Sequence, residues 1–426
     1  MDFVETYLTK HNFQPLLTDD PQPGLNICIV IPSYNEPDLL RSMEALYNCM
    51  PPLKPAEVII VINSPETSDK SILEQNLATF HEASEWIQKH LSPKLRFHLI
   101  HCPDLPEKSA GVGLARKIGM DEAAYRFHKI GNELGIIAGF DADSTCETNY
   151  LVELENHFQK FTETTGASIY FEHPIAGLDY EPIIYEGIIR YELHLRYMNQ
   201  AMRYAGHPHA FHTVGSSFAV RMDEYVKQGG MNKRQAGEDF YFLQKLISPG
   251  NYSEINSTCI MPSPRVSDRV VFGTGASMQR WLTEKKMETY PMDAYNDIKL
   301  LIDKIDGLYT AEPEAIRQMV NDLPHPLQGF LNANNFTSEW KSIMSNSASH
   351  EAFRKRFFRW FNAFKVIKYL NFSVQHFYEK SEVIVEAGRL VAKLGFNSLP
   401  DDSKNLLIFY RYLDKSGFGI RKNIRI

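Results

Sequence analysis

Apolar residues along the chain follow two patterns. The first is short continuous runs. Ile27-Cys28-Ile29-Val30-Ile31, Glu57-Val58-Ile59-Ile60-Val61-Ile62, Leu95 to Ile100 and Gly135-Ile136-Ile137-Ala138-Gly139-Phe140 are each strand-length and bounded by polar or turn residues. Such runs suit strands buried on both faces. The second is stripes at helical spacing. Leu39, Met43 and Leu46 form one, a helix opens near Gly111, and Leu151, Leu154, Phe158 and Phe161 form another. Alternation of the two predicts an α/β fold: a mostly parallel central sheet with helices on both faces. Residues 1–24 read as a short helix and a Pro-containing connection. Beyond about residue 291 the strand-like runs cease and helical periodicity dominates. The expected organisation is therefore 1–24, an α/β domain over 25–290, and a helical C-terminal domain over 291–426.

The strands end on polar clusters at Ser33 to Glu36, Asn63 to Asp69 and Asp141 to Ser144. Open parallel sheets bind ligands at the carboxyl ends of their strands, so these clusters are expected to share one crevice. Composition narrows the ligand. A net charge of −7 makes the chain a poor general binder of nucleic acid, because neutralising phosphates needs a basic face. The five cysteines form no CxxC pair, which argues against a disulfide framework or structural zinc and fits a reducing compartment. The N-terminus lacks the features of a signal peptide, and no apolar run approaches the length of a membrane span. A cytoplasmic location is expected.

Three clusters could carry chemistry. Asp141-Ala142-Asp143 places two carboxylates just after a strand. Hard Mg²⁺ or Mn²⁺ favours such oxygens, and a divalent cation stabilises a departing diphosphate. A solvated turn explains the same residues equally well. Gly237-Glu238-Asp239 opens a helix. Capping and the helix dipole favour acids there, whereas a functional reading makes Asp239 the general base for an acceptor hydroxyl and Glu238 its neighbour in the site. Lys108 to Lys117 carries Gly111 and Gly113 ahead of a helix, with Lys108 and Arg116 adding positive charge. It is either an anion-binding helix start or a plain one. It is neither a GxGxxG fingerprint nor a Walker loop.

Together these segments resemble family 2 glycosyltransferases of the GT-A (nucleotide-diphospho-sugar transferase) fold, of the soluble bacterial type. Val30-Ile31-Pro32-Ser33-Tyr34-Asn35-Glu36 is similar to that family's opening strand. Gly113-Leu114-Ala115-Arg116-Lys117-Ile118-Gly119 resembles its GxxxARNxG helix start, and Asp141-Ala142-Asp143 its DxD motif. Gly215 to Arg221 resembles the acceptor-side strand, and Gly229-Gly230-Met231 with Ala236 to Phe240 the GGF…ED segment. The resemblance implies inverting transfer of a sugar from a nucleotide diphosphate sugar to a sugar, glycan or lipid-linked acceptor. It implies Asp143 on a Mn²⁺ or Mg²⁺ ion, Asp141 on ribose or metal, and Asp239 as base. Pro32, Tyr34 and Glu36 would line the nucleotide pocket, with Arg116 near the nucleotide or diphosphate.

Departures accompany the match. Asn63 stands where the family often has an acid that reads the uracil edge, which leaves the nucleotide open among UDP, GDP or another. Lys117 stands where Asn is common. Arg280-Trp281 matches the end of the QxxRW motif of processive members, but Ser277 replaces its Gln, pointing to non-processive transfer. Arg265, Asp268 and Arg269 form either a loop over the diphosphate or a surface loop with local salt bridges. His207, His209 and His212 read as packed or polar histidines in preference to a metal site. Residues 351–371, with Phe353, Phe357, Trp360, Phe361 and Phe364 opposite Arg354, Lys355, Arg359 and Lys365, read as a core-facing amphipathic helix in preference to a peripheral membrane contact. Two competing functions are a non-catalytic nucleotide-sugar-binding relative and a sugar-phosphate nucleotidyltransferase. The second lacks its Gly-rich basic loop after the first strand.

Overall fold

The computed structural model describes residues 2–234, 237–267, 273–396 and 402–418. The described chain forms two compact units. The first comprises Met1–Gly177, Thr213–Ile247 and Asn251–Ala276; the second comprises Leu178–His212, Ser248–Gly250 and Ser277–Ile426. Packing thus divides the chain differently from the boundary at residue 290, because Leu178–His212 packs with the C-terminal helices.

The first unit is built on one mixed sheet. Its strands are β1 (Ile27–Ser33), β2 (Ala56–Pro65), β3 (Leu95–Leu105), β4 (Ile136–Gly139), β5 (Thr145–Cys146), β6 (Gly166–Phe171), β7 (Phe218–Arg221) and β8 (Tyr252–Met261). Their order is β3-β2-β1-β4-β7-β6-β8-β5. β1 pairs in parallel with β2 and β4, β2 with β3, and β6 with β8. β7 runs antiparallel between β4 and β6, and β5 antiparallel to β8. All seven residues of β1 are buried, as its unbroken apolar run requires.

The helices of this unit are α1 (Phe3–Lys10), α2 (Leu39–Tyr47), α3 (Lys70–Lys89), α4 (Val112–Lys129), α5 (Tyr150–Lys160), and two placed later in the chain. The order β3-β2-β1-β4 reverses direction after β3. Right-handed crossovers therefore put α2 and α3 on one face and α4 on the other. α4 lies directly on the sheet: a Cβ at Gly119 would meet Val30 at 2.5 Å and Val61 at 3.1 Å. α1 ties down the back of α4. The Tyr7 hydroxyl donates to Asp121 at 2.7 Å and accepts from Lys117 at 2.8 Å, which gives Lys117 a structural partner.

Because β7 is antiparallel to both neighbours, β6 and β8 run in the same sense as β1, β2, β3 and β4. Six carboxyl ends and the amino end of β7 therefore share one edge of the sheet. The break between β1 and β4 in chain order makes that edge a topological switch point.

Among the described residues the second unit is helical apart from one short antiparallel strand pair, Glu288–Thr289 with Ser381–Glu382. It holds α6 (Pro182–Tyr204) and most of α9 (Thr274–Glu284), while α7 (Met222–Lys227) and α8 (Glu238–Ile247) belong to the first unit. The C-terminal helices α10 (Met292–Lys304) to α17 (Ser403–Lys415) complete it. α6 is held to α17 by buried ion pairs: Arg196 with Glu192 at 2.8 Å and Asp414 at 2.5 Å, and Arg411 with Glu192 at 2.7 Å. The helix His350–Trp360 buries Phe353, Phe357 and Phe358 and exposes Lys355, Arg356 and Arg359. Its aromatic stripe is therefore core, as the amphipathic pattern favours. Among the described residues no helix is long and apolar enough to cross a membrane.

Candidate functional site

The shared edge of the sheet gathers most of the polar residues singled out in the sequence. After β1 the chain turns at Asn35, whose φ of 49° lies in the left-handed region that Asn tolerates better than most residues. α3 holds this turn. Asn76 accepts from the Asn35 N–H at 2.8 Å and donates to the Asn63 carbonyl at 3.0 Å, so one amide bridges the ends of β1 and β2. Thr79 donates to the Glu36 carbonyl at 2.9 Å. Pro32, Glu36 and Asn63 are buried and Tyr34 is half-buried. Asn63 lies within the end of β2, paired with Cys102 of β3.

After β4 the Asp141–Ser144 turn is held from α2. Ser42 is fully buried, and its hydroxyl lies 2.8 Å from the Ala142 carbonyl and 2.7 Å from the Ser144 carbonyl. This leaves the two aspartate side chains at the surface of the site, 36% exposed at Asp141 and 22% at Asp143.

Two arginines cross-link the acids. Arg116, the fifth residue of α4 and 3% exposed, pairs with Asp141 at 2.5 Å and with Glu238 through its other terminal nitrogen. Two carboxylates touch it directly, and Asp239 adds its charge nearby. Burial opposes the Arg116 charge, but Asp141, Glu238 and Asp239 outweigh it and raise the pKa. Arg265, after β8, pairs with Glu36 through both terminal nitrogens and with Asp143 through Nε at 2.8 Å.

Glycines make these approaches possible. A Cβ at Gly215 would stand 2.7 Å from both terminal nitrogens of Arg116. One at Gly139 would meet the Gly215 carbonyl at 2.6 Å, and one at Gly113 the Arg234 carbonyl at 2.2 Å and Glu238 Cβ at 3.1 Å. Gly113 at the helix start, Gly139 at the end of β4 and Gly215 in the turn before β7 thus let α4, β4 and the opening of α8 come together around one guanidinium.

Glu238 and Asp239 open α8. Glu238 is 2% exposed, and burial pushes its carboxyl up to about 7, with Asp239 and Asp141 adding to the rise and Arg116 opposing it. Asp239 is half-buried and accepts from the Phe240 N–H at 2.7 Å. Burial raises its pKa too, against the pull of Arg116. Both acids are thereby poised closer to neutrality than free carboxylates.

The remaining residues lie elsewhere. Lys108 is exposed in the turn before α4. Arg269 and Asp268 fall outside the described residues. His207 and His209 belong to the second unit, where burial lowers their pKa to about 4 and about 3 and His207 bonds the Phe361 carbonyl at 2.8 Å. Trp281 packs within the same unit: its indole donates to the Ile183 carbonyl at 2.9 Å, and a Cβ at Gly187 would strike its ring. Among the described residues no group of three or more His, Cys, Asp or Glu is arranged to hold a metal. Asp141 and Asp143 fit a hard cation only as a partial ligand set, to be completed by phosphate oxygens and water, the usual arrangement for Mg²⁺.

Ser42, Asn76 and Thr79 were not singled out from the sequence. Their signal is positional: a polar residue on the buried face of an otherwise amphipathic helix beside a strand-end loop.

No family model matches the chain, and no curated protein matches it. Among solved structures, residues 1–349 of S. aureus TarS align over 92% of this chain and 89% of that chain, at 12% identity and a TM-score of 0.37. The same fragment in complex with UDP-GlcNAc aligns at 13% identity and a TM-score of 0.38, with the same coverage. The mannosyltransferase PcManGT from Pyrobaculum calidifontis, in complex with GDP-Man and Mn²⁺, aligns over 99% of this chain and 93% of that chain, at 14% identity and a TM-score of 0.34.

Proposed function

We propose, from residues and geometry alone, that this chain is a metal-dependent, inverting, non-processive family 2 glycosyltransferase. It would move a sugar from a nucleotide diphosphate sugar to a hydroxyl of a sugar, glycan or lipid-linked acceptor. One observation carries the reading. Carboxylates from three separate segments, Glu36, Asp141 with Asp143, and Glu238 beside Asp239, lie along the carboxyl edge of the sheet, where Arg116 pairs with both Asp141 and Glu238 and Arg265 with both Glu36 and Asp143. A merely solvated turn at Asp141–Asp143 would not need a buried arginine and a buried serine to hold it.

In this reading Pro32, Tyr34, Glu36 and Asn63 line the nucleotide pocket, and Asp141 contacts ribose or metal. Mn²⁺ or Mg²⁺, held by Asp143 and the donor phosphates, would neutralise the departing diphosphate. Arg265 neutralises Asp143 and Glu36 in the free protein, so Asp143 would exchange that contact for the cation it would help to hold. Asp239 accepts the proton of the acceptor hydroxyl as its oxygen attacks the anomeric carbon from the side opposite the diphosphate. The bond to the diphosphate breaks and the configuration inverts. A carboxylate raised by burial is a stronger base at neutral pH than a free one. Arg116 holds Glu238 and Asp141 in fixed relation, so the donor side and the acceptor side share one rigid support. Ser277, in place of the glutamine of processive relatives, supports a single transfer per encounter.

A thermal-shift panel of nucleoside diphosphates and their sugars, with and without Mn²⁺ or Mg²⁺, tests the donor site. Stabilisation by at least one pair, dependent on the metal, is expected; none with any pair would refute the reading.

A further inference from the structure

The carbonyls of the Asp141–Ser144 turn face Ser42 on α2, and the same helix ends beside the turn's continuation. Cys49 follows α2, and Cys146 lies in β5, three residues past Asp143. Their sulfurs stand 3.6 Å apart, although 97 residues separate them in sequence. Both are free thiols, 8% and 9% exposed. The surrounding backbone is closely laced: the Met50 N–H donates to the Thr148 carbonyl at 2.6 Å. A disulfide requires sulfurs about 2.05 Å apart, so closure asks for roughly 1.5 Å of approach.

The two thiols are not equivalent. Cys49 is lowered from its ordinary value, first by the Cys146 thiol donating to it and then, against burial, by the Leu151 and Tyr150 N–H groups at the start of α5. Cys146 is raised by the same shared hydrogen bond and by burial. Thiolates at helix N-termini are the reactive ones.

We propose that Cys49 and Cys146 are a redox modification site, at which a low-molecular-weight disulfide converts the pair to an intramolecular disulfide that fixes the Asp141–Ser144 turn to the end of α2 and weakens metal-dependent donor binding. The second half rests on the proposed function; the first does not. Cys49 thiolate attacks one sulfur of the oxidant, forming a mixed disulfide and releasing one thiolate. Cys146 then loses its proton, and its sulfur displaces the second thiolate. Two protein thiols are oxidised, one small disulfide is reduced to two thiols, and the protons end on the released thiols or solvent. Bridging the pair holds the turn in one place, whereas cation binding requires Asp143 to exchange its contact with Arg265.

Incubating the full chain with glutathione disulfide and mapping peptides without reduction tests the site. A Cys49–Cys146 peptide pair, lost on adding dithiothreitol and in Cys49→Ser but kept in Cys102→Ser, is expected. Mixed disulfides without a bridge, or a bridge joining Cys146 to Cys259 instead, would overturn it. The thermal-shift panel, run on oxidised and reduced protein, tests the consequence. The Mn²⁺-dependent shift from UDP- or GDP-sugar should shrink on oxidation, return with dithiothreitol, and be indifferent to oxidant in Cys49→Ser. An equal shift in bridged and reduced protein would overturn the regulatory half. No shift in reduced protein would count against the proposed function and leave the bridge to the peptide map.

Discussion

Replacing Glu238 with Gln tests the electrostatics of the arginine-linked acids without assuming any substrate. The Glu238 carboxyl is 2% exposed and titrates near 7 in the native protein, against 4.5 when free. Between those values the folded chain holds a proton that the unfolded chain has released. Stability must therefore fall as pH rises through this window, while below it both states are protonated and above it both are ionised. The difference between the two values corresponds to roughly 3 kcal/mol. Glutamine does not titrate, so the gap between wild type and Glu238→Gln should move by about that amount in favour of the variant between roughly pH 4.5 and 7.5. The glutamine carbonyl can still accept from Arg116, and any difference between the neutral acid and the amide in that contact offsets the comparison by a constant and leaves the slope. Urea unfolding of both proteins across the window measures it. Parallel stability curves would refute the claim that Glu238 is buried among Asp239, Asp141 and Arg116 with its charge incompletely compensated.

Other perturbations reach the same framework. Gly215→Ala places a methyl against the Arg116 guanidinium, which two carboxylates prevent from retreating; a loss of about 1–3 kcal/mol in unfolding free energy is expected. Ser42→Ala leaves the Ala142 and Ser144 carbonyls without their hydroxyl partner, at a cost of about 1–3 kcal/mol, and should weaken donor-dependent stabilisation as the turn loosens. Arg265→Gln removes the charge that neutralises Asp143 and Glu36. Mn²⁺ affinity of the nucleotide-free protein, read by electron paramagnetic resonance, should rise about fivefold if the contact is worth about 1 kcal/mol.

The strands most legible in the sequence were those buried on both faces. Ile27–Ile31 and Val58–Ile62 are unbroken apolar runs because every side chain of those segments meets a helix or a neighbouring layer. The same patterning placed Asp141 at a strand end, and sequence order placed it on the same edge as Glu36. β7 was harder to read for its orientation: four buried residues carry no sign of direction, and its antiparallel insertion between β4 and β6 depends on pairing far along the chain. The partition of α6 was hidden for a similar reason. Its grouping with the C-terminal helices is written in Glu192, Arg196 and their buried partners, and charged residues at helical spacing look in sequence like a solvated face. Arg116 shows the limit most clearly. Its motif marks it as important, but only the positions of Gly215, Asp141 and Glu238 reveal a guanidinium sealed between two acids. Arg265 is 229 residues from Glu36, and nothing local to either predicts that they meet.

The most direct test of glycosyl transfer is release of nucleoside diphosphate from a panel of UDP- and GDP-sugars, with Mn²⁺ or Mg²⁺ and simple glycosides as acceptors. Wild type should release it from at least one donor only when metal is present. Asp143→Ala should abolish release together with donor binding, and Asp239→Ala should abolish release while sparing the donor-dependent thermal shift. Undiminished release by either variant, or metal-independent release by wild type, would contradict the account.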